Sequence, residues 1–234
     1  MKKILVPIEM PNGEEFTEGL IESLSSLKVV ILGYYTVPDQ TALEQAKEQF
    51  EEEFQDKMDN ISKSFEEKDI SFDKRLIFTH NFVNTINEVI SEEGCDGTLI
   101  NGLCGTVDDI LVPVKDSKLI DELVDFVAMA SLKKPQNIHL YHISKSESET
   151  EDADLMLEGV KSSLSKKDIN EDVITSETEV SGDIVEGIIS KSEDFDLVIM
   201  GETDPSIEEI FKGKISEKVV KKTNKPVILV RKKD

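Results

Sequence analysis

The sequence predicts an α/β protein built from two tandem doubly wound parallel-sheet units, and three observations carry that reading. A short apolar run, Ile4-Leu5-Val6-Pro7-Ile8, recurs as Ile110-Leu111-Val112-Pro113-Val114. Each copy is followed by the same alternation of helical and strand-like patterns, the signature of an internal repeat. The strand-like runs are almost continuously apolar, as expected for parallel strands covered on both faces by helices.

The elements follow in order. After the first apolar run, Phe16, Leu20, Ile21 and Leu24 recur at helical spacing, and after the second Leu119, Ile120, Leu123, Val124 and Val127 do the same. Second strands are expected at Lys28–Tyr35 and Asn137–Ile143. Each leads into a long acidic helix. One runs from about Thr41 to Glu67 with a stripe of Phe50, Phe54, Met58, Ile61 and Phe65. The other runs from about Glu149 to Lys166 with Leu155, Leu157, Val160 and Leu164. Thr41, three residues before Glu44, has the capping-box pattern of a helix start. Third strands fall near Arg75–Thr79 and Asp172–Thr175, the latter with room to extend to Thr178.

Short amphipathic helices then align, Asn84–Ile90 with Asp183–Ile189. Each ends before an aspartate and a fourth strand, Asp96–Gly102 and Asp196–Gly201. Only the second copy continues, with a helix near Lys214–Lys222 and a strand at Pro226–Val230. The expected organisation is a truncated unit at 1–107, lacking its last helix and strand, and a complete unit at 108–234. No Pro/Gly/Ser-rich linker separates them, so the halves are expected to pack together. The open edge left by the missing strand has to be covered, by the other half or by another chain.

Composition limits the partners. The 234 residues carry 49 acidic and 27 basic side chains, a formal charge of -22. Such a charge repels phosphate backbones and anionic headgroups, which argues against nucleic acid or membrane binding. The amino-terminal apolar run is interrupted by Pro7 and Glu9 and reads as a strand, not a signal peptide. The two cysteines, Cys95 and Cys104, lack metal-type spacing and fit a reducing cytoplasm.

The tandem strands, Asp116-Ser117, Asp196-Leu197-Val198-Ile199-Met200-Gly201 and the closing stretch Val219–Val230 with its Asn224-Lys225-Pro226-Val227 resemble the universal stress protein family. The resemblance covers the second half throughout and the first in its order of elements. It implies an adenine nucleotide alpha hydrolase-like sandwich with strand order 3-2-1-4-5 in the complete unit, and a role in stress response. It also implies dimerisation through the fifth strand, as a homodimer or here a self-packed pseudo-dimer, with docking of a protein partner. Part of that family binds ATP and part does not.

A ligand in such a sheet lies beyond the carboxyl ends of the first and fourth strands. The resemblance places a nucleotide against Pro113, Val114, Asp116 and Ile143, with phosphate held by Gly201, Gly213, Lys214 and Ser216. The pattern is degenerate. Lys115 stands at the family's adenine-binding aspartate, and Asp116 beside it is the candidate substitute. Asp204 replaces the second glycine of the phosphate loop, and Lys214 replaces its Ser/Thr. A carboxylate at that point repels phosphate more strongly as water is excluded. Lys214 acts in the other direction, as a point charge at a helix start. In the first copy Ile8 and Glu9 occupy the adenine end, and Gly102 and Gly105 keep the first glycine pair without the rest of the loop. The expectation is a binding and regulatory protein without ordinary ATP binding; the alternative is an ATP-dependent switch with slow hydrolysis.

Other residues carry less. His139 and His142 lie three apart on a strand, so they point to opposite faces and cannot share a metal. His80 sits at a strand end and reads as packing. Tyr34 and Tyr35 leave the second strand as half-buried packing. Cys104 has Asp108 and Asp109 nearby, which is no setting for a reactive thiol. No nucleophile elbow, Walker loop, dinucleotide fingerprint or EF-hand pattern occurs. No catalytic residue and no metal ligand is predicted.

Overall fold

In the computed structural model, the described residues are 1–11, 16–100, 105–115, 119–134, 136–202 and 215–231. The first unit contributes β1 (Lys3–Glu9), α1 (Glu18–Ser23), β2 (Lys28–Thr36), α2 (Leu43–Glu66), β3 (Phe72–Thr79), α3 (Phe82–Glu93) and β4 (Gly97–Ile100). The second contributes β5 (Asp109–Pro113), α4 (Ile120–Ala130), β6 (Asn137–Ser144), α5 (Thr150–Ser165), β7 (Ile174–Val180), α6 (Ile184–Ser192), β8 (Leu197–Gly201), α7 (Ile215–Lys222) and β9 (Val227–Val230). Among the described helices none is long and apolar enough to cross a membrane.

Nine strands form one sheet in the order β3-β2-β1-β4-β9-β8-β5-β6-β7. Each unit keeps the expected winding, 3-2-1-4 in the first and 3-2-1-4-5 in the second. The expectation of wholly parallel sheets needs one correction. Strand β9 pairs in parallel with β8 of its own unit and antiparallel with β4 of the other, from Gly97↔Val230 to Ile100↔Val227. The edge of β4 is thereby paired within the chain. Open β4 backbone groups next to a strand that had one free edge leave each with unsatisfied hydrogen bonds, and this pairing satisfies both.

Side-chain alternation along the strands divides the core into two layers. Ile4, Val6 and Ile8 of β1 and Ile110 and Val112 of β5 face α1, α2, α4 and α5. Leu5, Val30, Leu111, Tyr141, Val198 and Leu229 face α3, α6 and α7. Both layers run across the two units. Phe126 of α4, with no exposed surface, lies on β4: a Cβ on Gly97 would come within 3.1 Å of both its ring and the Leu229 carbonyl.

The repeat extends to polar ties. Asp96 accepts the Lys3 backbone N–H at 2.7 Å, and Asp196 accepts those of Asp108 and Asp109 at 2.9 and 3.0 Å. In each unit an aspartate thus clamps the fourth strand to the start of the first. The helices opening on Asn81 and Asp183 use those side chains as N-caps, and α3 ends on Gly94 in the left-handed conformation (φ 62°).

Local corrections follow from packing. Helix α2 starts after Ala42 with no side-chain cap, so the Thr41–Glu44 box is not formed; the Thr41 N–H instead turns back to Pro38. Within the α2 stripe Phe54, Met58 and Phe65 are buried, while Phe50 and Ile61 are partly covered. Leu155 is 67% exposed on α5, because Ala153, Leu157, Val160 and Leu164 define the inward stripe. Strand β3 starts earlier than expected and β7 is displaced towards its carboxyl end, since each follows the register of its neighbour.

Candidate functional site

The carboxyl ends of β5 and β8, where the winding reverses, define the cleft of the second unit. Pro113 and Val114 are buried there, and the Val114 N–H continues the ladder to the Tyr141 carbonyl at 2.8 Å. His142 Nδ1 lies 2.8 Å from the Val114 carbonyl oxygen. Lys115 follows and is exposed. Gly201 ends β8 opposite Val230.

Ile143 does not turn to this cleft. Its side chain is 7% exposed in the layer under α6, where it lies against Gly187 so closely that a Cβ there would sit 2.5 Å away. Of the residues expected to hold a nucleotide, the structure therefore gathers Pro113, Val114 and Gly201 at one edge and leaves Ile143 in the core. Asp116, Gly213 and Lys214, together with Asp204 of the degenerate loop, lie outside the described residues. Ser216 is in the first turn of α7, and its side chain lies outside them too.

Two features were not anticipated from the sequence. Leu119, at the start of α4, is 6% exposed and lies over Gly201: its Cδ1 and Cβ are 3.5 and 3.6 Å from where a Cβ on that glycine would stand. The apolar side chain covers one side of the glycine from which a phosphate loop would depart. Next to it, Glu202 and Arg231 form a buried two-pronged ion pair, with Nη2 3.1 Å from Oε1 and Nε against Oε2. Their side chains are 2% and 9% exposed. The Arg231 N–H also donates to the Asp96 carbonyl of the first unit at 2.9 Å. The signal for this pair was weak, because an acidic residue after a strand and a basic one before a polar tail both read as surface.

The corresponding end of the first unit is built differently. Ile8 is buried in the core, and Glu9 is exposed beside Tyr34, its register partner. Tyr34 stacks on Phe82 with ring centroids 4.1 Å apart, and burial, with the Glu9 charge, pushes its hydroxyl pKa up. Tyr35 turns to the opposite layer, among Phe50, Phe54 and Phe78. His80 Nδ1 is 3.0 Å from the Val37 carbonyl oxygen. Gly105 seats the connector on α1, its carbonyl accepting from Thr17 at 3.2 Å. Gly102 and Cys104 lie outside the described residues. Among the described residues no group of three or more His, Cys, Asp or Glu is placed to hold a metal.

This winding, with its order reversing between β8 and β5 and a fifth strand used for pairing, defines an α/β sandwich of the universal stress protein type. The family model described as "Universal stress protein family" matches residues 106–231, more than half of the sequence. The chain belongs to the universal stress protein family. Among solved structures it is similar to a universal stress protein from Archaeoglobus fulgidus DSM 4304, with a TM-score of 0.69 and 16% identity, over 99% of this chain and 97% of that one. It is also similar to a putative universal stress protein from Pseudomonas aeruginosa UCBPP-PA14, with a TM-score of 0.58 and 14% identity, over 99% and 93%. At these identities the likeness is one of fold, and it spans both units. No curated protein matches the chain.

Proposed function

We propose that this universal stress protein is a cytoplasmic binding and regulatory protein of the stress response whose second-unit cleft does not take ATP in the ordinary way. The observation that carries the reading is the pair of contacts around Gly201. Leu119 covers the glycine on one side, and the carboxylate of the next residue, Glu202, is buried and committed to Arg231. A phosphate entering there meets an apolar wall where it needs backbone N–H groups, which glycines and a helix start normally supply. Asp204 in the sequence adds charge repulsion at the phosphate end, and the exposed Lys115 takes the place of the aspartate expected at the adenine end.

The test is thermal unfolding with millimolar ATP and magnesium. A site filled at a hundred times its dissociation constant adds about 2.7 kcal/mol, which for a chain of this size raises Tm by about 5–10 °C. No rise is expected. A rise of that size, or adenine nucleotide co-purifying with the protein by mass spectrometry, favours the second reading, an ATP-dependent switch. That reading draws on Lys214 and Ser216 at the head of α7.

For self-association, the pairing of β9 with β4 supports a self-packed pseudo-dimer, since the fifth-strand edge is already used inside the chain. Light scattering is then expected to return the mass of one chain. A dimer that dissociates on disrupting another surface would overturn this.

A further inference from the structure

The second unit holds a cluster of ionisable groups that the cleft does not use. It lies between β6, β7 and α6, in the layer away from α5. His139 Nδ1 is 2.8 Å from Thr175 Oγ1, and its Nε2 is 3.3 Å from Glu177 Oε2. The same carboxylate oxygen accepts from Lys191 Nζ of α6 at 2.5 Å. Lys191 stands 5.6 Å from the centroid of the Tyr141 ring, and the Tyr141 hydroxyl donates to Glu179 at 2.5 Å. The imidazole stacks on Phe195 at 5.2 Å and is 14% exposed.

The first unit supplies an internal comparison. Leu5 pairs with Val30 and Leu111 with His139, so Val30 stands where the second unit has the histidine. By the same register Leu32 corresponds to Tyr141, and Arg75 to Glu177. Glu92 and Lys191 are each the next-to-last residue of the helix that follows the third strand. In the first unit Arg75 and Glu92 form an ion pair at 2.7 Å over fully buried Val30 and Leu32. Both units therefore tie their third strand to the helix that follows it through ion pairs of reversed polarity, Arg75 with Glu92 and Glu93 in the first and Glu177 with Lys191 in the second. Only the second places a group that titrates near neutrality beneath its ion pair.

We propose that His139 is an acid-responsive latch, holding edge strand β7 and helix α6 on the second unit while neutral and releasing them when protonated. Neutral imidazole keeps one hydrogen bond to the strand, between Nδ1 and the Thr175 hydroxyl, while Nε2 stands buried 3.3 Å from the Glu177 carboxylate without a hydrogen bond of its own. Protonation puts a second cation beside Lys191, on one shared carboxylate, with the imidazole itself largely withdrawn from water although Glu177 is 43% exposed. The charged groups facing the ring are Lys191 from α6 and Glu177 and Glu179 from β7. Its own strand presents Tyr141, β5 presents apolar Leu111, and the turn after α6 presents Phe195. Burial, and then the Lys191 charge, hold the histidine pKa below its ordinary value against the pull of Glu177. Lys191 keeps the Glu177 pKa low, so that carboxylate stays ionised while the histidine titrates. A base with a depressed folded pKa contributes stability that is full above its unfolded value, about 6.5, and is lost as pH falls. Strand β7, like β3 at the opposite end of the sheet, has a sheet neighbour on one side only, so it can be freed without opening the strands between.

Hydrogen exchange on the whole chain, corrected for intrinsic rates, tests the latch between about pH 7.5 and about pH 5.5. Protection of 174–180 and 184–192 is expected to fall on acidification. At about pH 5.5, one unit below the open-state value, the fall can reach about tenfold and no more, and it approaches that limit as the closed-state histidine pKa lies further below. Segments 72–79 and 82–93 of the first unit should not change. The response should vanish in His139→Val, which copies Val30, and persist in His142→Gln. Unchanged protection of 174–180 in the wild type, or an equal loss in His139→Val, overturns the proposal. The ring Cε1–H titration of the wild-type protein gives a check that needs no variant: a midpoint at or above about 6.5 also overturns it.

Discussion

Replacing Arg231 by Met removes one half of the buried pair with Glu202 while keeping most of the side-chain length. The guanidinium is 9% exposed and its partner 2%, so neither charge left alone regains a full water shell. Removing one partner of such a pair costs about 3–5 kcal/mol, because the surviving charge loses its paired counter-charge while staying largely out of water. For a chain of this length that is a fall in Tm of about 6–20 °C. Glu202→Gln should behave alike. The double variant Glu202→Gln/Arg231→Met should recover to within about 1–2 kcal/mol of the wild type, since no buried charge remains. Urea unfolding followed by circular dichroism gives all four free energies, and the double-mutant cycle isolates the coupling. If each single change costs less than about 1 kcal/mol, or the double equals the sum of the singles, the two groups are not a buried, mutually dependent pair.

Three further outcomes follow from named contacts. Gly97→Val should destabilise by about 1–3 kcal/mol in urea unfolding, since its Cβ would press on the Phe126 ring and the Leu229 carbonyl, each at 3.1 Å. Asp196→Ala leaves the Asp108 and Asp109 N–H groups without their acceptor and should cost about 1–3 kcal/mol, with exchange rising first at the start of β5. Cys95 is 4% exposed and burial pushes its thiol pKa up to about 11, so it is almost wholly protonated at neutral pH. Peptide mapping after iodoacetamide treatment should show it unmodified in the native protein and labelled in urea; rapid native labelling would contradict that burial.

What could be read from the residues was whatever is encoded locally and twice. The Ile-Leu-Val-Pro runs, the helix after each and the aspartate before each fourth strand repeat because each must satisfy the same packing inside one unit, and β1 to β4 and β5 to β8 follow them closely. What could not be read is set between distant segments. Nothing in Val227–Val230 says that one of its edges meets Gly97–Ile100, because any apolar strand offers the same backbone groups. Glu202 and Arg231 are 29 residues apart, and each stands in a polar context that looks like surface. Thr41 and Glu44 satisfy a cap pattern that tertiary packing overrides by starting α2 at Leu43. At the cleft the altered motif residues were visible, but the position of Leu119 over Gly201 depends on how α4 sits on the sheet.

The shared strand has a consequence in time. Synthesis runs from the amino end, so the β4 edge emerges with residues 97–100 and its partner, residues 227–230, follows only later. At about 5–20 residues per second the interval is roughly ten seconds. Throughout it the earlier-made unit presents an unpaired strand edge, the surface on which nascent chains most readily associate wrongly. A lesion in β9 therefore leaves the β4 edge of the earlier-made unit without its strand partner.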